Sequence, residues 1–394
     1  MKNKRIAVIF DEDIYSQRGM FNAIRNRIKY LNDIADFSID VFVVGCYEPW
    51  YIRKLRNTRK IDKVKSVIFD GITYNTMWYN FTLLDYVLDV KLHMKPIFVN
   101  IFYRRLFENI SKRGYDLISA HSINCGRLAC RVGKKLKIPF CVTWHGSDIH
   151  TTPFTSRSKF NLVKDILTSA SYNFFVSNKL QTVGQTIAPK MNCTVLYNGR
   201  NKMFTKYSTS VRLNVRSKFG LNDSTKVVAF VGNLLPVKNP QLLPSIFAAV
   251  KRKFSGPVVF WVIGSGKMSS MVANACEELE VECKLWGAMT VEQMPDIYNS
   301  MDVLVLPSRN EGLPLVAVEA LACGANVVGS NVGGIPEVIG SDNVFSHGES
   351  FVEKMSERIV DMLVNKITQP LSDLYDWSNT AKQELKIYND LLMQ

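Results

Sequence analysis

Asp302 to Glu337, DVLVLPSRNEGLPLVAVEALACGANVVGSNVGGIPE, is the stretch whose reading decides the fold. Val303-Leu304-Val305-Leu306 is an unbroken apolar run closed by Pro307, the pattern of a parallel strand buried on both faces. Ser308 to Leu313 is then a polar loop, carrying Gly312, at that strand's carboxyl end. Pro314 suits the first helical position, where its missing N–H would be unpaired anyway, and the helix runs to about Cys323 before Gly324 ends it. A second apolar strand follows at Asn326 to Gly329, and Gly333-Gly334 lead into a helix start at Pro336. Strand, loop and helix thus repeat twice, and two helix N-termini fall near one cleft.

The unpaired N–H groups and positive dipole end of a helix form an anion site, so Asn310-Glu311-Gly312-Leu313 can hold a phosphate with main-chain donors. Glu311 lies in the loop and Glu319 about a turn and a half into the helix, giving carboxylate acceptors beside the phosphate position. A ligand with hydroxyls on both sides of a phosphate suits that layout. A nucleotide sugar has it, with ribose on one side of the diphosphate and a hexose on the other. The plainer alternative makes Glu319 a solvated helix-face charge and Glu311 an ordinary loop residue, but the loop chemistry around them weighs against it.

Pro307-Ser308-Arg309-Asn310-Glu311-Gly312-Leu313-Pro314, with Glu319-Ala320-Leu321-Ala322-Cys323-Gly324, resembles the E-x7-E region of the retaining GT-B glycosyltransferases. The likeness is to glycosyltransferase family 4, the group 1 glycosyl transferases, including members of polysaccharide and teichuronic acid biosynthesis. Their pattern reads roughly P-S-x-x-E-G-x-P-x-x-x-x-E-A-x-A-x-G. The resemblance implies an α/β protein of the GT-B type, with two Rossmann-like doubly wound domains facing a cleft. It covers the chain strongly from 227 to 340 and loosely before 115.

The length of 394 residues is too great for one ordinary core and fits two domains of roughly 200 residues. No run of about 18 apolar residues marks a transmembrane helix. Ile6 to Phe10 is cut short by Asp11-Glu12-Asp13, so the N-terminus reads as a first strand rather than a signal peptide. The 8 cysteines are scattered without a C-x-x-C pair, as expected of reduced, buried thiols in a cytosolic enzyme, and no Cys/His spacing suits zinc.

The net charge of +14 is uneven. Residues 1–200 hold 31 Lys and Arg against 15 Asp and Glu, whereas the remainder holds 18 against 20. Arg53, Lys54, Arg56, Arg59, Lys60, Lys63 and Lys65 cluster beside Trp50, Tyr51 and Leu55, and Arg104-Arg105 sit among Phe102, Tyr103 and Phe107. Cations mixed with aromatics suit an anionic membrane surface, at roughly 1 kcal/mol per well-placed cation. Nucleic acid is the competing reading, but no recognised binding module accompanies the charge, so no nucleic-acid partner is expected.

In the first half, apolar strands at Arg5 to Phe10, Val41 to Gly45, Leu117 to Ala120, Phe140 to Trp144, Asn173 to Val176 and Cys193 to Tyr197 alternate with amphipathic helices. Such alternation argues a doubly wound parallel sheet with ligands at the strands' carboxyl ends. His145 ends one strand before Gly146, where such a sheet presents ligands, and is similar to the family's T-x-H motif, whose histidine contacts the donor sugar. His121 reads as shaping the acceptor cleft, and Asp148 either caps the next helix or meets the acceptor. After the first strand the family carries a glycine pair against the donor; here Gly19 stands alone. Asp11-Glu12-Asp13 has the D-x-D shape of a metal site, but acidic residues ending a first strand are commonly turn residues, and the family resembled needs no metal.

The resemblance places the acceptor-binding domain at 1–204, completed by a C-terminal helix over 375–394, and the nucleotide-sugar domain at 205–374. In the second domain Val227 to Val231 is a buried strand followed by Gly232-Asn233 and Lys238, a loop suited to diphosphate. The family pattern there is G-R-L…K-G; Lys238 matches and Asn233 replaces the arginine. Gly264 matches a family G-x-G loop, and the strand end at Trp286 corresponds to where the nucleobase is held.

What the resemblance implies is a metal-independent retaining glycosyltransferase of the hexosyltransferase type, with no cofactor and a nucleotide sugar, UDP-sugar favoured over GDP-sugar, as co-substrate. Lys238 and the Gly312-Leu313 main chain would hold the diphosphate, Glu311 the sugar, Glu319 the ribose, and His145 the reacting sugar. The expected partners are a lipid-linked or glycan acceptor and the inner face of the plasma membrane, with the protein cytoplasmic and peripheral. A nucleotide-sugar 2-epimerase of the same architecture and a non-catalytic sugar-nucleotide-binding module are the alternatives.

Overall fold

The computed structural model describes residues 4–15, 19–58, 60–88 and 97–393. It divides into two compact units. The first comprises Met1–Val176, Leu180–Leu196 and Trp377–Gln394, and the second Ser177–Lys179 and Tyr197–Asp376.

The first unit holds an eight-stranded sheet of β1 (Arg5–Phe10), β2 (Ser38–Tyr47), β3 (Ser66–Phe69), β4 (Ile72–Asn80), β5 (Leu117–His121), β6 (Phe140–Trp144), β7 (Tyr172–Phe175) and β8 (Cys193–Val195). Their order is β3-β4-β2-β1-β5-β6-β7-β8. Every pairing is parallel except β3 with β4, an antiparallel hairpin at one edge. Asp70 and Gly71 close that hairpin with φ of 52° and 77°. Both are positive, as a two-residue turn matched to strand twist requires, and Asp-Gly is the sequence that tolerates them. The six strands expected from sequence are present with small shifts of their ends; the hairpin is an addition.

Apolar runs explain the core. β5 and β6 are buried at every residue, so helices must cover both faces of the sheet. The C-terminal helix Trp377–Leu392 lies in this unit and packs on helix Gly19–Asn32. Tyr388 enters the core with Phe37 and Phe174. Beside it Arg27 Nε donates to Glu384 at 2.5 Å, both side chains being almost fully buried. Removing one partner of such a pair costs about 3–5 kcal/mol, because the other charge is stranded.

The second unit holds a six-stranded parallel sheet of β9 (Lys226–Val231), β10 (Val258–Ile263), β11 (Cys283–Gly287), β12 (Val303–Leu306), β13 (Asn326–Ser330) and β14 (Val344–Phe345). The order β11-β10-β9-β12-β13-β14 reverses direction between β9 and β12. The first sheet reverses likewise between β1 and β5. Loops leaving the carboxyl ends of the two strands at such a reversal diverge to opposite faces and leave a crevice, which is where doubly wound sheets bind ligands. β12 matches the expected Val303–Leu306, and the following helix spans Leu315–Ala322 with Pro314 as its N-cap.

Candidate functional site

The loops at the second unit's reversal are made chiefly of main chain. After β9, Gly232 N–H bonds to Ile263 O at 2.9 Å and Leu234 N–H to Ser265 O at 3.0 Å. After β10, Gly264 N–H bonds to Gly287 O at 2.7 Å. These loops approach so closely that a Cβ on Gly264 would lie 2.0 Å from Gly232 O, and one on Gly266 would lie 2.3 Å from Leu234 O. After β13, a Cβ on Gly333 would fall 1.8 Å from Glu311 O, and one on Gly334 2.4 Å from Gly312 O. Glycine is therefore required sterically at all four positions, and at Gly264 and Gly333 by φ of 126° and 53° as well.

Side chains are few and mutually fixed. Lys238 Nζ lies 2.6 Å from Glu311 Oε1, which also accepts from Ser308 Oγ at 2.8 Å. Ser308 is fully buried, and its carbonyl meets His347 Nε2 at 3.0 Å. The loop bearing Glu311 is thus anchored at both of its faces. Leu313 is buried, and no side chain caps the helix Leu315–Ala322 that Gly312 and Leu313 precede, which leaves first-turn N–H groups for a ligand. Asn233 is exposed on its loop.

Glu319 accepts from Tyr298 Oη at 2.8 Å. Burial pushes its carboxyl up to about 7, against the opposing pull of that hydroxyl. The group therefore changes protonation near neutrality. Trp286 packs edge-on against Phe219 and Trp261 with Lys284 Nζ 3.6 Å above its ring. Its indole N–H is buried without a hydrogen-bond partner, and the neighbouring Gly287 carbonyl meets the glycine loop.

The first unit's reversal is built differently. The ends of β1, β5 and β6 surround a cavity of about 590 Å³ lined by Asp11, Glu12, Ser122, Asn124, His145 and Asp148 among others. His145 Nε2 lies 3.0 Å from His121 Nδ1, with the rings stacked 5.2 Å apart. Burial and the Arg27 charge hold His145 down to about 3, and burial with the same charge and His145 holds His121 well below its usual value. Both rings are neutral at pH 7, so one nitrogen donates and the other accepts. His121 is buried and is not part of the cavity wall; it stands behind His145 and fixes its ring. Asp148 lies within the short helix Ser147–His150, whose N-cap Gly146 has no side-chain cap, so it does not cap that helix; it lines the cavity, and its oxygens accept from His145 N–H at 3.0 Å and Gly146 N–H at 2.7 Å.

Ser122 has φ of 84°, an uncommon conformation for a residue with a Cβ, at the point where β5 turns into helix Ile123–Leu136. Its hydroxyl caps that helix on Cys125 N–H. Gly19 opens helix Gly19–Asn32, and a Cβ there would meet nothing within 4 Å, so sterics do not demand glycine. Ser16, Gln17 and Arg18 lie outside the described residues. Among the described residues no three His, Cys, Asp or Glu side chains gather to hold a metal ion. Nor is any helix among them long and apolar enough to cross a membrane.

The family model described as glycosyl transferases group 1 matches residues 211–383, and that of glycosyltransferase family 4 matches residues 82–202. This chain belongs to the family 4, group 1 glycosyltransferases. An uncharacterized glycosyltransferase of Methanocaldococcus jannaschii is 28% identical over 51% of this chain and 54% of its own length. TuaC of Bacillus subtilis, named for teichuronic acid biosynthesis, is 27% identical over 66% of this chain and 65% of its own. The chain thus matches between half and two thirds of the length of these curated relatives. Among solved structures, Thermosynechococcus elongatus sucrose-phosphate synthase superposes with a TM-score of 0.74 at 16% identity, over 99% of this chain and 100% of that one. Anabaena HepE, solved with UDP and glucose, gives 0.68 at 16% identity, over 98% and 96%. The fold is GT-B.

Within this family 4 member, sequence reasoning missed Tyr298, which tunes Glu319, and the contact between His121 and His145. Tyr298 lies 21 residues before its partner, so no local spacing announces it. The histidines sit at equivalent ends of adjacent parallel strands, β5 and β6, and strand adjacency was the signal that would have paired them.

Proposed function

We propose that this protein is a retaining, metal-independent glycosyltransferase that moves a hexose from a nucleotide diphosphate sugar to a glycan acceptor, a lipid-linked one, in bacterial surface polysaccharide assembly. The observation that carries this reading is the Lys238–Glu311–Ser308 cluster seated among glycine loops at the second unit's reversal. Close main chain admits a diphosphate, the ammonium neutralises it, and the carboxylate is placed for sugar hydroxyls. Glu319, deeper in the helix, takes the ribose.

No carboxylate of the first unit's cavity is needed as a nucleophile. The acceptor hydroxyl attacks the anomeric carbon from the face that the diphosphate leaves. A phosphate oxygen takes the hydroxyl proton as the bond from carbon to phosphate oxygen breaks and the new glycosidic bond forms. Protein groups then position the reactants and stabilise the leaving charge. His145, neutral and held by His121, contacts the reacting sugar.

UDP is the favoured nucleotide, a choice supported by HepE, which was solved with UDP and with UDP-glucose. TuaC supports the polysaccharide assignment through its name. A peripheral position on the inner face of the plasma membrane is supported by helix Trp50–Arg56, which exposes Trp50, Tyr51 and Leu55 beside Lys54. Of the basic cluster around it, Arg56 and Lys60 are paired with Glu48 and Asp62, and Arg59 lies outside the described residues.

The test is transfer from UDP-, GDP- and ADP-sugars to membrane extract. Glu311→Ala is expected to lower kcat/KM by about 10²–10³, the cost of removing one transition-state contact, while the fold is kept. Full transfer in that variant overturns the assignment. Release of nucleotide without any acceptor product would instead favour an epimerase.

A further inference from the structure

The first unit's cavity has a basic wall that the donor does not account for. Helix Ile123–Leu136 presents Arg127 and Arg131 four residues apart, the spacing of one helical stripe, and both line the cavity. Helix Arg157–Ser169, packed on it, adds Lys159 from its first turn. Among the described residues none of these three side chains forms an ion pair or hydrogen bond. Several other cations of this unit are tied, as Arg5 is to Asp40, Arg25 to Asp70 and Arg27 to Glu384. Asp11, Glu12 and Asp148 line the same cavity, but among the described residues no salt bridge joins any of them to Arg127, Arg131 or Lys159, which leaves those cations to meet a ligand.

Two of the cavity's three carboxylates are occupied by neutral donors. Asp148 is taken by two main-chain N–H groups and Asp11 accepts from Asn124 Nδ2 at 3.0 Å. The donor diphosphate has its own lysine and glycine loops in the second unit, so this wall is surplus to it. We propose that the acceptor carries a phosphate group, which docks on Arg127, Arg131 and Lys159 while its hydroxyl faces His145. This rests on the glycosyltransferase reading above. A phosphate monoester brings a charge of about −1.5 to −2 and three oxygens, and guanidinium forks grip such oxygens two at a time. A single carboxylate, with one charge and two oxygens, would neutralise less of this wall than a phosphate does.

Two sources of this chemistry are separated by two probes, glycerol 3-phosphate in solution and a polyprenyl phosphate in neutral detergent micelles. Each is titrated calorimetrically into the whole chain at about 150 mM salt, where loosely placed surface charges are screened. Wild type is expected to bind at least one. Arg127→Gln with Arg131→Gln is expected to bind it at least tenfold more weakly, and Arg127→Lys with Arg131→Lys to keep most of the affinity, which separates lost charge from lost folding. Binding of the first probe assigns a soluble acceptor and binding of the second alone a lipid-linked one; either supports the proposal. Wild type that binds neither probe, or a double glutamine variant that binds as wild type does, overturns it. UDP binding by wild type is measured on the same preparation. Its absence sinks the glycosyltransferase reading, whereas a phosphate probe lost on the glutamine changes still locates the basic wall.

Discussion

Both units reverse strand order at the centre of a parallel sheet, yet they furnish the resulting crevice in opposite ways. In the second unit, loops after four strands close in pairs to within main-chain contact, with glycines at Gly264, Gly266, Gly333 and Gly334 where any Cβ would collide. In the first unit the corresponding loops stand apart around a cavity of about 590 Å³, and the wall is made of side chains, several braced by a second row. A main-chain cradle reads charge and shape but tolerates little variation. A side-chain wall is easily respecified. That contrast is what a donor site shared across a family and an acceptor site peculiar to each member would require.

The sharpest way to break the comparison is Gly264→Val. Its Cβ cannot occupy a point 2.0 Å from Gly232 O, so the loop must open, and a φ of 126° disfavours the branched side chain further. A shift costing about 3 kcal/mol is a roughly 100-fold loss in affinity for UDP, read by calorimetry. Tight UDP binding by this variant would show that the main-chain approach is incidental to the site.

The matching change in the first unit is smaller, because it removes a brace rather than the floor. His121→Leu fills the same buried space and leaves His145 without its ring-to-ring hydrogen bond at 3.0 Å. One such bond is worth about 1–1.5 kcal/mol, so kcat is expected to fall about tenfold with donor KM little changed. His121→Asn, which can still donate to the His145 ring, is expected to recover part of the loss. Equal kcat in His121→Leu would mean that His145 needs no positioning.

How far the sequence carried these sites differs between the units for a physical reason. The second unit's elements were legible because apolar runs such as Val303 to Leu306 are buried on both faces and proline and glycine mark their ends. The glutamates, the lysine and the glycines could be named there because they are local to loops. Hidden was whatever depends on strand adjacency, as with His121 beside His145, or on a distant helix, as with Tyr298. The β3–β4 hairpin was missed although Asp70-Gly71 signals it, because the preceding basic cluster drew the reading toward a surface segment. Arg127 and Arg131 were passed over for want of any neighbouring pattern, since a four-residue spacing of arginines is ordinary on a solvated helix.

Glu319 offers the finest test, because it is a side chain set inside the main-chain cradle's unit and its charge is poised. Burial raises its carboxyl to about 7, so its protonation changes near neutral pH. In the role proposed for it, the carboxylate would accept from ribose hydroxyls, and once protonated it would lose much of that capacity. Donor KM is therefore expected to fall as pH rises from 6 to 8, by a few-fold in all. Tyr298 Oη donates to Glu319 at 2.8 Å and favours the charged form, so Tyr298→Phe removes a stabiliser of the carboxylate. The carboxyl is then pushed higher still, and the midpoint of the KM profile moves to higher pH. Glu319→Gln, which cannot titrate, is expected to flatten the profile. Initial rates over that pH range decide the matter: a wild-type profile already flat, or a midpoint that moves down in Tyr298→Phe, separates Glu319 from the ribose and leaves the cradle's specificity to main chain alone.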